Sequence, residues 1–379
     1  MARNIDVFAP TDLARIAINN RIIRSATDEG MADENGAPTE LFMKTYKKLA
    51  DGGVGCIITT YMGVIDGAVP MHNMILIDSD EKMGKLSELV DLVHSSGCPI
   101  ISQIAHAGTH SISGKVDISK IDVGEIRHIR DAFVSAAIRA SRIGFDGVQI
   151  HCAHGYFLSE CLSPHTNKRK DDWGGSEENR FRILAEIVQG IRAELPDYPV
   201  FVKMNGSERA KNGIKPETAV SIAKRMEAVG IDGIEVSCSL GEGMGPMHGD
   251  APVDMMFDDY PSLARIPKFL VPLVKPIIRR TVKVDEPRKL YNLPATKLIR
   301  DAVSIPVIAV GGIHDLSEIE EVINDHGIDY VAMSRPLILE PDLISKYRSG
   351  KSHQSKCIHC NCCIIGVHQR PLKCYYGRG

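Results

Sequence analysis

The sequence predicts an α/β protein, a (β/α)8 TIM barrel with a long insertion between its sixth and seventh strands and a Cys-rich C-terminal tail. Three observations point there. Short Ile- and Val-rich runs alternate with helical-period segments, eight such runs occur, and polar or glycine residues collect where each run ends. Continuous apolar runs such as Val307-Ile308-Ala309-Val310 suit strands of a parallel sheet buried on both faces. The alternation demands right-handed parallel crossovers, and eight such units close into a barrel. A doubly wound open sheet is the competing arrangement.

In order, strand 21–26 leads to helix 40–51, strand 55–60 to helix 80–96, strand 100–104 to helix 123–143, and strand 147–151 to helix 176–195. Strand 200–204 precedes helix 216–229. Strand 233–237 opens a long irregular stretch that reaches a helix near 295–302, strand 306–310 precedes helix 316–324, and strand 330–333 precedes helix 341–347. Gly53, Gly97, Gly144, Gly230 and Gly327 stand between a helix end and the next strand, where a C-cap glycine belongs. The strings GVGCIITT, GFDGVQIH, GIDGIEVS and GIDYVAMS use that joint four times. Residues 1–350 read as the barrel, 240–290 as an insertion capping the substrate, and 351–379 as the tail. A loop as long as 240–290 is usually functional, and in a barrel it emerges on the catalytic face.

Composition narrows the partners. The 379 residues carry 45 Lys+Arg against 48 Asp+Glu, a net charge of −3, which speaks against a nucleic-acid partner. At 44% hydrophobic and 25% charged the chain has the means to fold, so disorder is excluded. No run of about 18 apolar residues exists to span a membrane, and residues 1–6 lack a signal-peptide core. Ten cysteines without an export signal point to a reducing, cytoplasmic setting and to free thiols or metal ligands.

Catalytic groups of a barrel lie at the C-terminal ends of its strands. After strands seven and eight come Gly311-Gly312 and Ser334-Arg335. Glycines let backbone N–H groups approach a phosphate, a following helix aims its positive end there, and Arg335 adds a bidentate cation. The alternative is an ordinary tight turn beside a surface arginine. After strand four comes His151-Cys152-Ala153-His154-Gly155-Tyr156. Two histidines three apart in a turn can converge on one oxygen, to polarise a carbonyl or hold an anion. Tyr156 is protonated at neutral pH and can hand a proton to a carbanion. A zinc site with His106 as third ligand, or plain core filling, are the other readings of this segment.

Residues 144–182, GFDGVQIHCAHGYFLSECLSPHTNKRKDDWGGSEENRFR, resemble the signature of the old yellow enzyme family of FMN-dependent ene-reductases. So do NNRIIRSAT (19–27), SQIAHAG (102–108), IPVIAVGGI (305–313) and MSRPLILEPDL (333–343). The matches fall in the family's order and extend to about residue 350. The resemblance implies that Ser25, Ala26 and Thr27 lie along the flavin and that Gln103 bonds its pyrimidine edge. Lys203 stands where the family usually has arginine, so the charge is kept but the planar fork is lost. Gly311, Gly312, Ser334 and Arg335 match the family's phosphate pocket, His151 and His154 its carbonyl-binding pair, and Tyr156 its proton donor. Two departures affect tuning. Asp28 brings a carboxylate close to the flavin, where it opposes negative charge on the ring or has its own pKa raised, and Tyr61 replaces a small residue and narrows the site. The implied reaction is ping-pong: NAD(P)H reduces FMN and leaves, then an enone or enoate accepts hydride at Cβ and a proton from Tyr156 at Cα.

In the tail, Cys357, Cys360, Cys363 and Cys374 spell C-x2-C-x2-C-x10-C with Cys362 spare. Such spacing suits a [4Fe–4S] cluster or tetrahedral zinc, and unligated thiols are the third reading. The tail resembles the cluster motif of 2,4-dienoyl-CoA reductases, with the third cysteine one residue early and a shorter last gap. A second enzymatic reading follows: a dienoyl-CoA or enoate reductase fed through the tail by a separate electron-transfer partner. The basic residues Arg279, Arg280, Lys283, Arg288 and Lys289 then meet a CoA phosphate, or else form a solvated face. A flavin sensor or redox store without catalysis is a third reading, and the His151/His154/Tyr156 set argues against it. The end of the tail, CYYGRG, is placed to reach a neighbouring subunit of a homo-oligomer.

Overall fold

Eight parallel strands close on themselves. In a computed structural model, which describes residues 4–239, 248–260, 262–282 and 289–377, barrel strands one to eight are Ile22–Arg24, Cys56–Gly63, Ile100–Ala105, Gly147–Cys152, Val200–Asn205, Gly233–Ser237, Val307–Val310 and Tyr330–Met333. Neighbours in the chain are neighbours in the sheet. Strand eight pairs with strand one (Val331 opposite Ile22) and strand one with strand two (Ile23 opposite Cys56), both parallel. This closure excludes the doubly wound alternative. Strand two runs to Gly63, past the predicted end at Thr60, with a register shift against strand three between Ile58 and Tyr61. Tyr61 therefore lies inside the strand and not in the loop after it.

The helices follow from local chemistry. Thr39, Asp122 and Ser176 each cap a helix by accepting from the backbone N–H three residues on, which satisfies donors the first turn leaves open. Gly144 ends helix Val123–Ile143 at φ 104°, a conformation costly for residues with a Cβ. Ile126, Ile129, Phe133, Ala136, Ala137 and Ala140 of that helix are buried in the layer between helices and barrel.

A hairpin that the sequence reading did not foresee, Thr11–Leu13 with Ile16–Ile18, precedes the barrel. Its Leu13, Ile16 and Ile18 join Ile23, Ile58, Ile101, Phe201 and Ile308 in one buried cluster. One end of the barrel is thereby sealed with apolar side chains, and the chemistry is confined to the other.

The stretch 240–290, predicted as irregular, contains helices Val253–Asp259 and Val271–Thr281 among the described residues. Lys283 and Arg288 of the basic run lie outside the described residues. Arg279 is paired with Asp254 (2.8 Å) and Lys289 with Glu318 (2.6 Å). The tail has its own short helix, Cys362–Gly366, whose buried Ile365 packs on Val253, Met256 and Phe257 of the insertion. Leu372 N–H donates to the Glu29 carbonyl after strand one (2.9 Å). Insertion and tail thus form one cover beside the barrel mouth. No helix among the described residues is long and apolar enough to cross a membrane.

Candidate active site

The mouth gathers residues from the barrel strands and from the loops that follow them. Strand four delivers His151, 3% exposed, whose Nδ1 accepts from Ala153 N–H (3.4 Å). In the neutral ring this puts the proton on Nε2. His154 follows at φ 63°, a backbone conformation rare outside glycine. It is held there by its N–H donating to Asn205 Oδ1 (3.2 Å) and by a ring bond between Nε2 and Ser237 Oγ (2.8 Å). Asn205 is fixed in turn by donating to Ser159 Oγ and Glu208 Oε1 (both 3.2 Å). The two imidazole centroids are 4.9 Å apart with planes at 82°.

Both rings are neutral at physiological pH. Burial pushes the His151 pKa well down, and the Lys203 cation adds to the effect. Burial and Lys203 likewise lower His154 to about 3. Tyr156 lies 5.1 Å from His151 and 5.2 Å from Tyr61, centroid to centroid. Its hydroxyl is pushed well above the usual tyrosine range by burial and then by Asp28. Tyr61 has its own hydroxyl tied to the Ala68 carbonyl (2.9 Å). Asp28 accepts from Gly30 N–H (3.1 Å), and burial raises its carboxyl to about 7. His106 is not drawn to the histidine pair: its Nδ1 accepts from Gly108 N–H (3.0 Å) and its ring packs against Phe157.

Beneath the histidines a polar chain crosses the barrel. Gln103 Nε2 donates to Gln149 Oε1 (2.6 Å), and Gln149 Nε2 donates to Glu235 Oε2 (2.8 Å). Glu235 Oε1 accepts from Ser25 Oγ (2.6 Å) and lies 3.1 Å from Lys203 Nζ, which also donates to Ser25 (2.9 Å). Ala26 packs at the margin of the inner apolar cluster. Thr27 Oγ1 meets Ser334 Oγ (2.8 Å), linking the exits of strands one and eight. Gln149 and Glu235 are site residues that the sequence reading missed. A glutamine and a glutamate inside otherwise apolar strands, GVQIH and GIEVS, were the available signal, since a polar group buried on both faces of a sheet needs a reason.

Gly311 (φ 116°) and Gly312 (φ 73°) border a hollow of about 60 Å³ together with Ser334, Arg335, His314 and His359. A Cβ on Gly311 would stand 2.6 Å from the Tyr291 ring, so only glycine fits. The Nε2 atoms of His314 and His359 are buried without a hydrogen-bond partner among the described residues, their centroids 3.7 Å apart. Arg335 donates to the His248 carbonyl (2.9 Å) and to Asn361 Oδ1 (2.7 Å). Orphaned ring nitrogens and a guanidinium around a small hollow fit a phosphate group.

Arg335 and His359 also line a second hollow of about 110 Å³, walled by Cys357, Cys360, Cys363 and Cys374. Cys362 lines a different cavity, with Asp254 and Arg370. Burial raises the Cys363 thiol to about 12 and also raises Cys357. Among the described residues no three His, Cys, Asp or Glu side chains converge closely enough to hold a single ion as they stand.

Comparison with known proteins gives the chain a family. The model of the NADH:flavin oxidoreductase / NADH oxidase family matches residues 6–242 and 265–354. A 4,4'-dithiodibutanoate disulfide reductase of Rhodococcus erythropolis is 30% identical, covering 96% of this chain and 93% of its own. An NADH oxidase of Thermoanaerobacter brockii is 29% identical over 95% of this chain but 54% of its own. The structure of a 2-naphthoyl-CoA reductase in complex with 2-naphthoyl-CoA superposes with TM-score 0.80 at 22% identity, covering 97% of this chain and 56% of that one. The chain thus spans about half the length of some relatives and nearly all of others. It belongs to the NADH:flavin oxidoreductase / NADH oxidase family, the old yellow enzyme family of flavin-dependent NAD(P)H oxidoreductases.

Proposed function

We propose that the protein reduces the activated C=C bond of α,β-unsaturated carbonyl compounds, small enones or enoates, with NAD(P)H as reductant. The observation that carries this reading is the convergence of two neutral imidazoles and a protonated phenol at one mouth. FMN, when bound, supplies the hydride. Gly311, Gly312, Ser334 and Arg335 would hold its phosphate, and Ser25, Ala26, Thr27, Gln103 and Lys203 its ring system. His151 Nε2–H donates to the substrate carbonyl oxygen. With Ser237 Oγ as donor to Nε2 of His154, that ring's Nδ1–H would be left for the same oxygen. Neutral donors can stabilise the negative charge that grows there without giving up a proton. Tyr156 then releases its proton to Cα, which its raised pKa permits only to a strongly basic carbon. Tyr61, packed against His151 and Tyr156, shields one side of the site from water.

Steady-state oxidation of NAD(P)H driven by 2-cyclohexenone tests the reading. His151→Ala should lower kcat/KM for the enone by roughly 10²–10³-fold, the usual effect of losing one such donor, with FMN content unchanged. Enone-independent NAD(P)H oxidation alone would overturn it.

A second reading is favoured by one specific observation: the four-cysteine hollow shares Arg335 and His359 with the phosphate pocket. Cys357, Cys360, Cys363 and Cys374 would hold a metal centre, and a hollow far larger than one ion suits a [4Fe–4S] cluster better than zinc. Such a cluster supplies one-electron transfer. On this reading the same mouth serves a dienoyl-CoA or enoate substrate, with electrons from a separate partner. Iron and zinc analysis of anaerobically purified protein separates the two metals, and neither at stoichiometric level would remove this reading.

A further inference from the structure

Glu235 is completely shielded from solvent, 0% exposed, in the middle of strand six. A carboxylate in such a place is costly unless its oxygens are all engaged. Its Oε1 takes Ser25 Oγ and Lys203 Nζ, its Oε2 takes Gln149 Nε2. The ionised carboxylate of this pair has only acceptors to offer. Gln149 must therefore turn its NH2 toward Glu235, which turns its carbonyl toward strand three. Gln103 must in turn spend an N–H on that carbonyl, at 2.6 Å. What Gln103 has left for a ligand is its own carbonyl oxygen, an acceptor, with one remaining N–H beside it. A single charge on strand six thus fixes the polarity of two amides and the identity of the hydrogen-bonding group two hydrogen bonds along, at Gln103. At its other oxygen the same charge restrains Lys203, whose Nζ has Ser25 and Glu235 as partners and one donor left over.

We infer that Glu235 is a positioning residue for the flavin ring. It makes the Gln103 end of the chain complementary to a ring imide, an N–H flanked by carbonyls, and it holds the Lys203 ammonium at the other end in a locally neutral pair. This rests on the FMN reading above. A flavin bound here would present its imide N–H to the Gln103 carbonyl. The Lys203 cation faces the part of the ring that becomes negative on reduction, with its field moderated by the adjacent carboxylate.

The two ends can be tested apart. Glu235→Gln replaces an acceptor by an amide that both donates and accepts, so it releases the polarity of Gln149 and removes the negative partner of Lys203. Its FMN Kd should rise at least tenfold, and the midpoint potential of bound flavin should become more positive, because the more negative reduced ring is no longer opposed by a carboxylate. Gln149→Met cuts the chain but leaves the Glu235–Lys203 pair. It should raise the FMN Kd at least tenfold with the midpoint unchanged. Both are measured by fluorescence titration and anaerobic redox titration of the full chain. Wild-type affinity in Gln149→Met together with a wild-type midpoint in Glu235→Gln would overturn the inference. Should Glu235→Gln not fold, wild-type affinity in Gln149→Met overturns it alone. Failure of the wild-type chain itself to bind FMN would sink the flavin reading on which this rests.

Discussion

The phenol of Tyr156 stands edge-on to the imidazole of His151, ring centroids 5.1 Å apart and planes at 80°. The groups proposed to bind and to protonate the substrate are thus held together at the mouth, with Tyr61 packed edge-on against both rings. A carbonyl compound with its oxygen at His151 has its carbon chain beside the phenol.

Replacing Tyr156 by Phe keeps the ring packing and removes the proton. Enone reduction should slow by roughly 10²–10⁴-fold, the span of a lost general acid, while flavin reduction by NAD(P)H keeps its wild-type rate. Stopped-flow measurement of the two half-reactions checks this. An oxidative half-reaction as fast as wild type would take Tyr156 out of the role.

Asp28 sets a pH dependence with a definite sign. Its carboxyl is raised from 3.8 to about 7 by burial, with the Gly30 N–H working in the opposite direction. A carboxyl more easily protonated in the fold than in the unfolded chain adds stability below 3.8 that is progressively lost as pH rises to about 7. Asp28→Asn does not titrate. The Tm of the variant minus that of wild type should therefore grow between pH 4 and 7 and level off above. A difference independent of pH would show that Asp28 is not buried as described.

On the proposed reading, Arg335 tells a flavin with a phosphate from one without. Losing charge-assisted hydrogen bonds worth about 1.5–3 kcal/mol, Arg335→Ala should bind FMN about 10–100-fold more weakly and riboflavin as well as wild type does. Equal losses for both ligands, read by fluorescence titration, would mean that Arg335 only ties the tail through His248 and Asn361.

The tail cysteines are separable by position. Cys357→Ser or Cys363→Ser should abolish metal retention after anaerobic purification, because both line the 110 Å³ hollow, whereas Cys362→Ser should keep it. Metal lost equally from all three variants would contradict the assignment of Cys362 as the spare thiol.

The barrel was legible because a parallel strand buried on both faces is written as an unbroken apolar run, and each of the eight runs is a strand. The N-terminal hairpin was not, because its turn is built from Ala14 (φ 46°) and Arg15 (φ 73°) where such a turn usually announces itself with Asn or Gly. The insertion helices were hidden by proline. Helix Val271–Thr281 contains Pro276, which reads as a breaker, yet Val271, Val274 and Ile278 anchor the helix on the insertion's own apolar cluster. The histidine pair and Tyr156 were read from a strand end, where barrels keep their chemistry, and the structure brings their three rings together there. Gln149 and Glu235 sit in mid-strand, and only the cross-barrel bonds from Gln103 to Lys203 reveal why polar groups belong there.

The central claim is that FMN in this mouth passes hydride to a substrate held by His151 and His154. Its most direct test is to reduce the FMN-loaded protein anaerobically with one equivalent of NAD(P)H, add 2-cyclohexenone, and follow visible flavin absorption. The account predicts that the flavin bands return in proportion to the enone added and that cyclohexanone forms in equal amount. Bands that stay bleached in the enone and return only with air would contradict it.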